Sequence, residues 1–180
     1  MRGPLFSGAI GHPSTLGRLA DLVRPHAPVA VLSTVWLARA LAEVMPVVLL
    51  VEPDNRNAAR RALRHVEGGR ALVVVAGESL PLRGQGVGAI VLDALSDIDS
   101  ADAGPFVTGL LPHVRPGGLV VALDATKSLL TETQLAGTYL QAGLVDIRQD
   151  RPREGAILTV GRAPAPEVTA VRVRAMGLAK

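Results

Sequence analysis

Short apolar runs alternate with helical patterns along most of this chain of 180 residues. The runs are rich in valine, leucine and alanine, and they lie at 29–32, 47–51, 71–75, 87–92 and 119–123. Strands that alternate with helices form a mostly parallel sheet with helices on both faces. Two closing runs, at 144–149 and 156–161, flank the turn DRPREG and predict a β-hairpin. The sequence therefore predicts a doubly wound α/β fold with a mostly parallel seven-stranded sheet and a C-terminal antiparallel hairpin.

The segments between the runs predict helices near 14–23, 35–44, 53–66, 99–114 and 127–142. Ser14 or Thr15 is expected to be the N-cap of the first helix, because a side-chain oxygen accepts a hydrogen bond from a free backbone N–H there. The last segment, RAPAPEVTAVRVRAMGLAK, contains an Ala-Pro repeat that disfavours both helix and sheet. We therefore expect one domain at 1–162 and a basic tail at 163–180.

The composition excludes several classes of function. Apolar residues make up 48% of the chain but aromatic residues only 2%, so the core must be aliphatic. No apolar run approaches the ~20 residues that cross a bilayer, and the N-terminus lacks the pattern of a cleaved signal. The absence of cysteine excludes disulfides, thiolate metal sites and a cysteine nucleophile. A cytoplasmic protein without a membrane partner is expected, and the four scattered histidines predict no metal site.

Arginine supplies nearly all of the positive charge, since lysine occurs only twice and the net charge is +3. Net charge indicates only non-specific attraction, so a nucleic-acid partner is not expected. The alternation in VTAVRVRAM fits a strand added to the sheet edge of a neighbour, and it equally fits a tail that stays unfolded. We expect a homo- or hetero-oligomer that assembles through apolar surface or through this tail.

Five stretches resemble motifs of the class I S-adenosylmethionine (SAM) methyltransferases. In chain order they are VVLLVEPDNRN at 47–57, GESLPL at 77–82, VGAIVLDAL at 87–95, LLPHVRPGGLVVALD at 110–124 and LQAGLVDIRQ at 140–149. Their order and spacing match those of the family over about residues 14–162. The resemblance implies a Rossmann-like fold, a SAM cofactor beyond the carboxyl ends of the strands, and a small-molecule substrate.

The resemblance also implies which residues would bind the cofactor. The set is Ser33, Thr34, Glu52, Pro53, Gly77, Glu78 and Asp93. Glu52 stands where the family places an acid that binds the ribose hydroxyls, although an acid there can also favour a helix dipole. No catalytic residue is evident, but Asp93, at the end of the fourth strand, is the first choice for a base if the protein is active. Its alternative role is to cap or hydrogen-bond a loop.

The turn after the first strand departs from the family, because residues 31–43 contain no glycine. In this fold the main chain comes close to the cofactor at that turn, and positive φ is often required. Val35 is β-branched and tolerates positive φ poorly, and Trp36 would fill space that the family keeps open. The position of an adenine-contacting aspartate falls on Ala76. These departures predict a degenerate SAM site. The protein would then be a pseudoenzyme that serves as a non-catalytic binding, structural or assembly subunit. The alternative is an active SAM-dependent methyltransferase.

Overall fold

The computed structural model describes residues 9–64, 66, 71–75, 86–126 and 129–165. Its strands are β1 (Val29–Leu32), β2 (Val47–Val51), β3 (Ala71–Val75), β4 (Val87–Asp93), β5 (Val114–Ala125), β6 (Val145–Arg153) and β7 (Ala156–Arg162). They form one sheet in the order β3-β2-β1-β4-β5-β7-β6. Strands β1 to β5 are parallel to one another, and β7 is antiparallel to both β5 and β6. The predicted mostly parallel sheet with a closing hairpin is confirmed.

Helices cover both faces of the sheet. They are α1 (Pro13–Val23), α2 (Val35–Ala42), α3 (Arg56–Leu63), α4 (Ser100–Leu110) and α5 (Glu132–Gln141). The buried side chains of α1, α2 and α3 belong to one apolar layer, and those of α4 and α5 to the other. Among the described residues, no helix combines the length and apolarity needed to span a membrane.

Strand β5 shows why the sequence forms two layers. Val121 and Leu123 pack into the layer of α1–α3, whereas Val120 and Ala122 pack into the layer of α4 and α5. All four are fully buried, as expected when successive side chains of a strand point to opposite faces. Each buried valine or leucine contributes roughly 1.5–3 kcal/mol of transfer free energy.

The strand order reverses between β1 and β4. Val29 of β1 pairs with Val47 of β2 on one side and with Ala89 of β4 on the other. The chain builds outward from β1 to β3 and then returns to the centre at β4. In open α/β sheets, ligands bind outside the carboxyl ends of the strands at such a reversal. The fold therefore places a candidate site beyond β1 and β4.

The start of α1 differs from expectation. The N-cap is His12, whose Nδ1 accepts a hydrogen bond from the backbone N–H of Ser14 at 3.2 Å. Pro13 occupies the first helical position, where its missing N–H costs nothing. Thr15 instead donates its hydroxyl to the carbonyl of Ala9 at 2.8 Å. The prediction of a cap at Ser14 or Thr15 was wrong, because the helix begins earlier.

The other four helices are shorter than predicted; α2 ends at Ala42 rather than at 44, and α4 spans Ser100–Leu110 rather than 99–114. The segment expected as a helix at 53–66 is a 3₁₀ turn at 53–55 followed by α3. The helix expected from 127 begins at Glu132, where Thr131 and Gln134 form a reciprocal capping box. In the proposed tail, the described residues end at 165, and Ala163 still pairs with Gly118 of β5 (N···O 2.8 Å).

Candidate functional site

A cavity of about 510 Å³ opens at the carboxyl ends of β1 and β4. Described residues that line it are Ser33, Thr34, Val35, Trp36, Arg39, Ala62 and Asp93. Small-molecule sites in proteins commonly have volumes of roughly 300–1,000 Å³. The reversal of strand order thus coincides with a cavity large enough for a small ligand. Ser33, Thr34 and Asp93, which sequence analysis placed in the site, all lie in its wall.

The turn between β1 and α2 consists of only two residues, Ser33 and Thr34. Ser33 has φ +56°, in the left-handed region, and its N–H donates to the carbonyl of Leu50 at 2.7 Å. A non-glycine residue in this region costs about 1–2 kcal/mol. Val35, the residue expected to suffer from positive φ, is already helical. The turn therefore keeps the conformation that glycine favours, and a serine adopts it.

The side chain of Asp93, at the end of β4, contacts the start of α2, which follows β1. Its carboxyl accepts side-chain hydrogen bonds from Trp36 and Thr34, at the start of α2. Burial raises the pKa of Asp93 above its ordinary value, the two hydrogen bonds act in the opposite direction, and the charge of Asp97 raises it again. The net effect favours the protonated acid. The end of β4 is thus tied to the first turn of α2.

The residue after Asp93 is also strained. Ala94 has φ +57°, and its N–H donates to the carbonyl of Leu123 in β5 at 3.0 Å. Backbone strain of this kind persists only where the surrounding structure enforces it, and it clusters at functional sites. Ser33 and Ala94 place such strain at the carboxyl ends of two adjacent strands, β1 and β4.

Glu52 lies at the carboxyl end of β2, beside β1. It is the N-cap residue of the 3₁₀ turn at 53–55, but its side chain makes no capping hydrogen bond. Both Glu52 and Pro53 are exposed, and neither is among the described residues that line the cavity. Ribose binding by Glu52 stays a prediction. Gly77, Glu78 and Ala76 lie outside the described residues.

The charges of the cavity wall are mixed. Arg39, one turn beyond Trp36 on α2, is exposed and forms no ion pair with any residue that the structure describes. Asp93 lies in the same wall. Within the described ranges, no three His, Asp or Glu side chains are grouped as metal ligands. The wall therefore offers one cation, one carboxyl group and an indole to a ligand.

Sequence analysis missed a second buried acid beside the site. Asp124 lies near the end of β5 and is 0% exposed. Its Oδ1 accepts a hydrogen bond from the backbone N–H of Ser96 at 2.8 Å. A signal was present, because Glu52 after β2, Asp93 in β4 and Asp124 in β5 are all acids at the carboxyl ends of apolar runs. Only the packing of α5 over β5 shows that Asp124 is buried.

Comparison with protein-family models gives no match, and comparison with curated proteins gives none either. Solved structures do match. An O-methyltransferase family protein from Burkholderia thailandensis shares 17% identity over 86% of this chain and 58% of its own, with TM-score 0.64. Human N-acetylserotonin methyltransferase in complex with SAM shares 12% identity over 84% and 51%, with TM-score 0.68.

A third structure is an O-methyltransferase from neocarzinostatin biosynthesis in complex with S-adenosyl-L-homocysteine (SAH) and 1,4-dihydroxy-2-naphthoic acid. It shares 19% identity over 83% of this chain and 56% of its own, with TM-score 0.63. This chain thus spans a little more than half the length of these three proteins. At such low identity the likeness establishes the fold alone. The chain has the class I SAM-dependent methyltransferase-like fold.

Proposed function

We propose that this chain is a methyltransferase-fold protein with a degenerate SAM site, which serves as a non-catalytic binding or assembly subunit. One observation carries the proposal. The carboxyl of Asp93 is hydrogen-bonded to the side chains of Trp36 and Thr34. These contacts cross the gap between the carboxyl ends of β1 and β4, which is where ligands of such folds lie.

The residues of the site fit SAM only in part. Glu52, at the end of β2, is free to meet ribose hydroxyls, and this agrees with the family pattern. The turn before α2 does not fit, because the half-buried Trp36 replaces open space and is held in place by Asp93. A ligand lying against this turn would have to break that hydrogen bond and repack the indole. We therefore derive no methyl-transfer step.

The alternative is an active SAM-dependent methyltransferase that acts on a small molecule. The cavity of about 510 Å³ favours it, as do the SAM and SAH bound in two of the similar structures. Methyl transfer depends mainly on positioning of the reactants. Asp93 would then be the base, and the burial that raises its pKa brings it nearer to the range of an effective general base.

Titration with SAM and SAH separates the two functions. Thermal denaturation and calorimetry should be carried out on the wild type and on Trp36→Ala. A bound ligand at about 100 times its Kd stabilises a protein by roughly 2.7 kcal/mol. We expect no shift of Tm for the wild type at millimolar SAM, and a measurable shift for Trp36→Ala if the indole is what closes the site. Micromolar binding of SAM to the wild type would overturn the proposal.

Assembly is the second half of the proposal. Three leucines have largely exposed side chains, namely Leu129 at 78%, Leu140 at 69% and Leu72 at 60%. Leu140 lies on α5 and Leu72 on the edge strand β3; exposed apolar side chains mark interaction surfaces where they form a patch, and these positions are the candidates to test. The mass in solution of the full chain, compared with that of a chain ending at Arg162, tests the role of the tail. A monomer at all concentrations would remove the case for a homo-oligomer.

A further inference from the structure

Three buried side-chain oxygens lack a hydrogen-bond partner within the part of the chain that the structure describes. They are Oγ of Ser96, Oδ2 of Asp124 and the hydroxyl oxygen of Tyr139. The three side chains come from the turn after β4, from β5 and from α5, and their residues are 1%, 0% and 0% exposed. Buried polar groups are rarely left without partners. Three such oxygens together indicate a particular protonation state of these side chains.

The surroundings of Asp124 identify that state. An ionised carboxylate only accepts hydrogen bonds, whereas a neutral acid also donates one. Burial raises the pKa of Asp124 most, the contacts with Ser96 act in the opposite direction, and two further acids, Asp93 from β4 and Asp97 from the turn, raise it again. Tyr139, the titratable group that faces Asp124 from α5, contributes no positive charge. Among the residues that the structure describes, no cation acts on Asp124, and burial without one disfavours the ionised form.

We propose that Asp124 is a positioning residue of the candidate site, which keeps a proton in the folded protein and holds the turn that carries Asp93. The proton on Oδ2 gives the acid a hydrogen to donate towards the neighbouring hydroxyls. Oδ1 remains the acceptor for the N–H of Ser96. The proposal requires no cofactor, so it goes beyond the function proposed above.

The path from Asp124 to Asp93 is short. Residues 95–97 form a 3₁₀ turn that follows β4 directly. Two bonds to β5 fix this turn, from the N–H of Ser96 to Asp124 and from the N–H of Ala94 to the carbonyl of Leu123. Ala94, in its left-handed conformation, is covalently next to Asp93. A negative charge on Asp124 would repel Asp93 and so disturb the contact of Asp93 with Trp36.

Asp124→Asn provides the test, since an amide imitates the neutral acid but cannot ionise. Burial raises the pKa of Asp124 in the folded state. Below the pKa of Asp124 in the unfolded chain, about 3.9, the contribution of this proton to folding stability is fully present. That contribution is lost as pH rises through the folded pKa. The folding constant of the variant divided by that of the wild type should therefore rise with pH, by up to about tenfold per pH unit. Asp93 titrates in both proteins, so it enters the ratio only through its repulsion of ionised Asp124.

Two further measurements separate positioning from a purely structural role. NMR of the Asp124 carboxyl carbon in the wild type should show an acid that titrates above its ordinary pKa, and this needs no variant. The indole N–H signal of Trp36 should change with pH over the titration of Asp124 in the wild type but not in Asp124→Asn. Thr133→Ala, at an exposed residue of α5 without a titratable group, is the control and should leave both profiles unchanged. An Asp124 carboxyl that titrates at or below its ordinary pKa, a ratio of folding constants that is flat with pH, or an indole signal that follows the same pH profile in the variant would overturn the proposal.

Discussion

The indole of Trp36 donates a hydrogen bond to the carboxyl of Asp93, and this contact joins α2 to the end of β4. Trp36→Phe keeps an aromatic ring but removes the donor. Because a hydrogen bond to the charged form lowers a pKa, its loss should raise the pKa of Asp93 further. Since the site is only half-buried, the free energy of unfolding at neutral pH should fall by about 1 kcal/mol. NMR of the Asp93 carboxyl carbon and urea unfolding measure the two effects; an unchanged pKa would contradict the assignment of the bond.

Asp93→Asn should change how stability depends on pH. Burial raises the folded pKa of Asp93. The contribution of its proton to folding stability is therefore fully present below the unfolded pKa of about 3.9 and is lost as pH rises through the folded pKa. Relative to the wild type, the variant should gain stability steadily as pH increases over this window. Urea midpoints at a series of pH values test it. Thr133→Ala, at an exposed residue without a titratable group, should show no such trend.

Ser33→Gly should stabilise the protein. The left-handed conformation of Ser33 (φ +56°) is free of strain for glycine, and the net gain should be about 0.5–1 kcal/mol after the greater chain entropy of glycine is subtracted. Ser100→Gly, at an exposed helical position of α4, is the control and should destabilise by about 0.5 kcal/mol. Thermal denaturation compares the two.

Ser33→Gly alone should not create SAM binding, because Trp36 remains in place.

Gly88→Ala should be among the most damaging substitutions outside the site. A Cβ at Gly88 would lie 1.8 Å from the backbone carbonyl oxygen of His26. Since backbone rather than a flexible side chain would have to move, we expect a loss of at least about 3 kcal/mol. Gly137→Ala, on α5, meets no atom within 4 Å and should stabilise by up to about 1 kcal/mol. Chemical denaturation followed by circular dichroism should give opposite signs for the two variants.

Thr131→Ala removes half of the capping box of α5. The hydroxyl of Thr131 accepts from the backbone N–H of Gln134 at 3.3 Å, and the side chain of Gln134 accepts from the N–H of Thr131 at 2.9 Å. Loss of such a cap costs about 1 kcal/mol. Thr133→Ala changes an exposed residue two positions further along the chain and should be neutral or slightly stabilising. Equal losses in both variants would show that the cap does not hold the helix.

The core strands were predictable because their apolar runs end at clear breaks. Strands β1, β2 and β3 occupy the ranges that the sequence predicted. Strand β5 extends well beyond its predicted range 119–123, because Val114 pairs with Val87 of β4. Hydrogen bonds to a neighbouring strand hold such polar residues in the strand, and the hydrophobic pattern of the sequence does not identify them as part of it.

The site was predictable as a location but not as a set of contacts. Parallel strands end at the same edge, so Ser33 and Asp93 had to be neighbours once the strand order was known. The bond between Trp36 and Asp93 depends on which way an indole turns at the start of α2. The burial of Asp124 depends on Tyr139, which packs against it from α5. Neither contact has a short-range signal in the sequence.

Trp36 is the only tryptophan in the chain, and it stands in the wall of the cavity. Its fluorescence therefore comes from one known place, next to a carboxyl group. A molecule that enters the cavity has to alter the polarity or quenching around that single emitter. Compound libraries can accordingly be screened on the unlabelled protein, with the emission maximum as the readout, before any ligand has been identified.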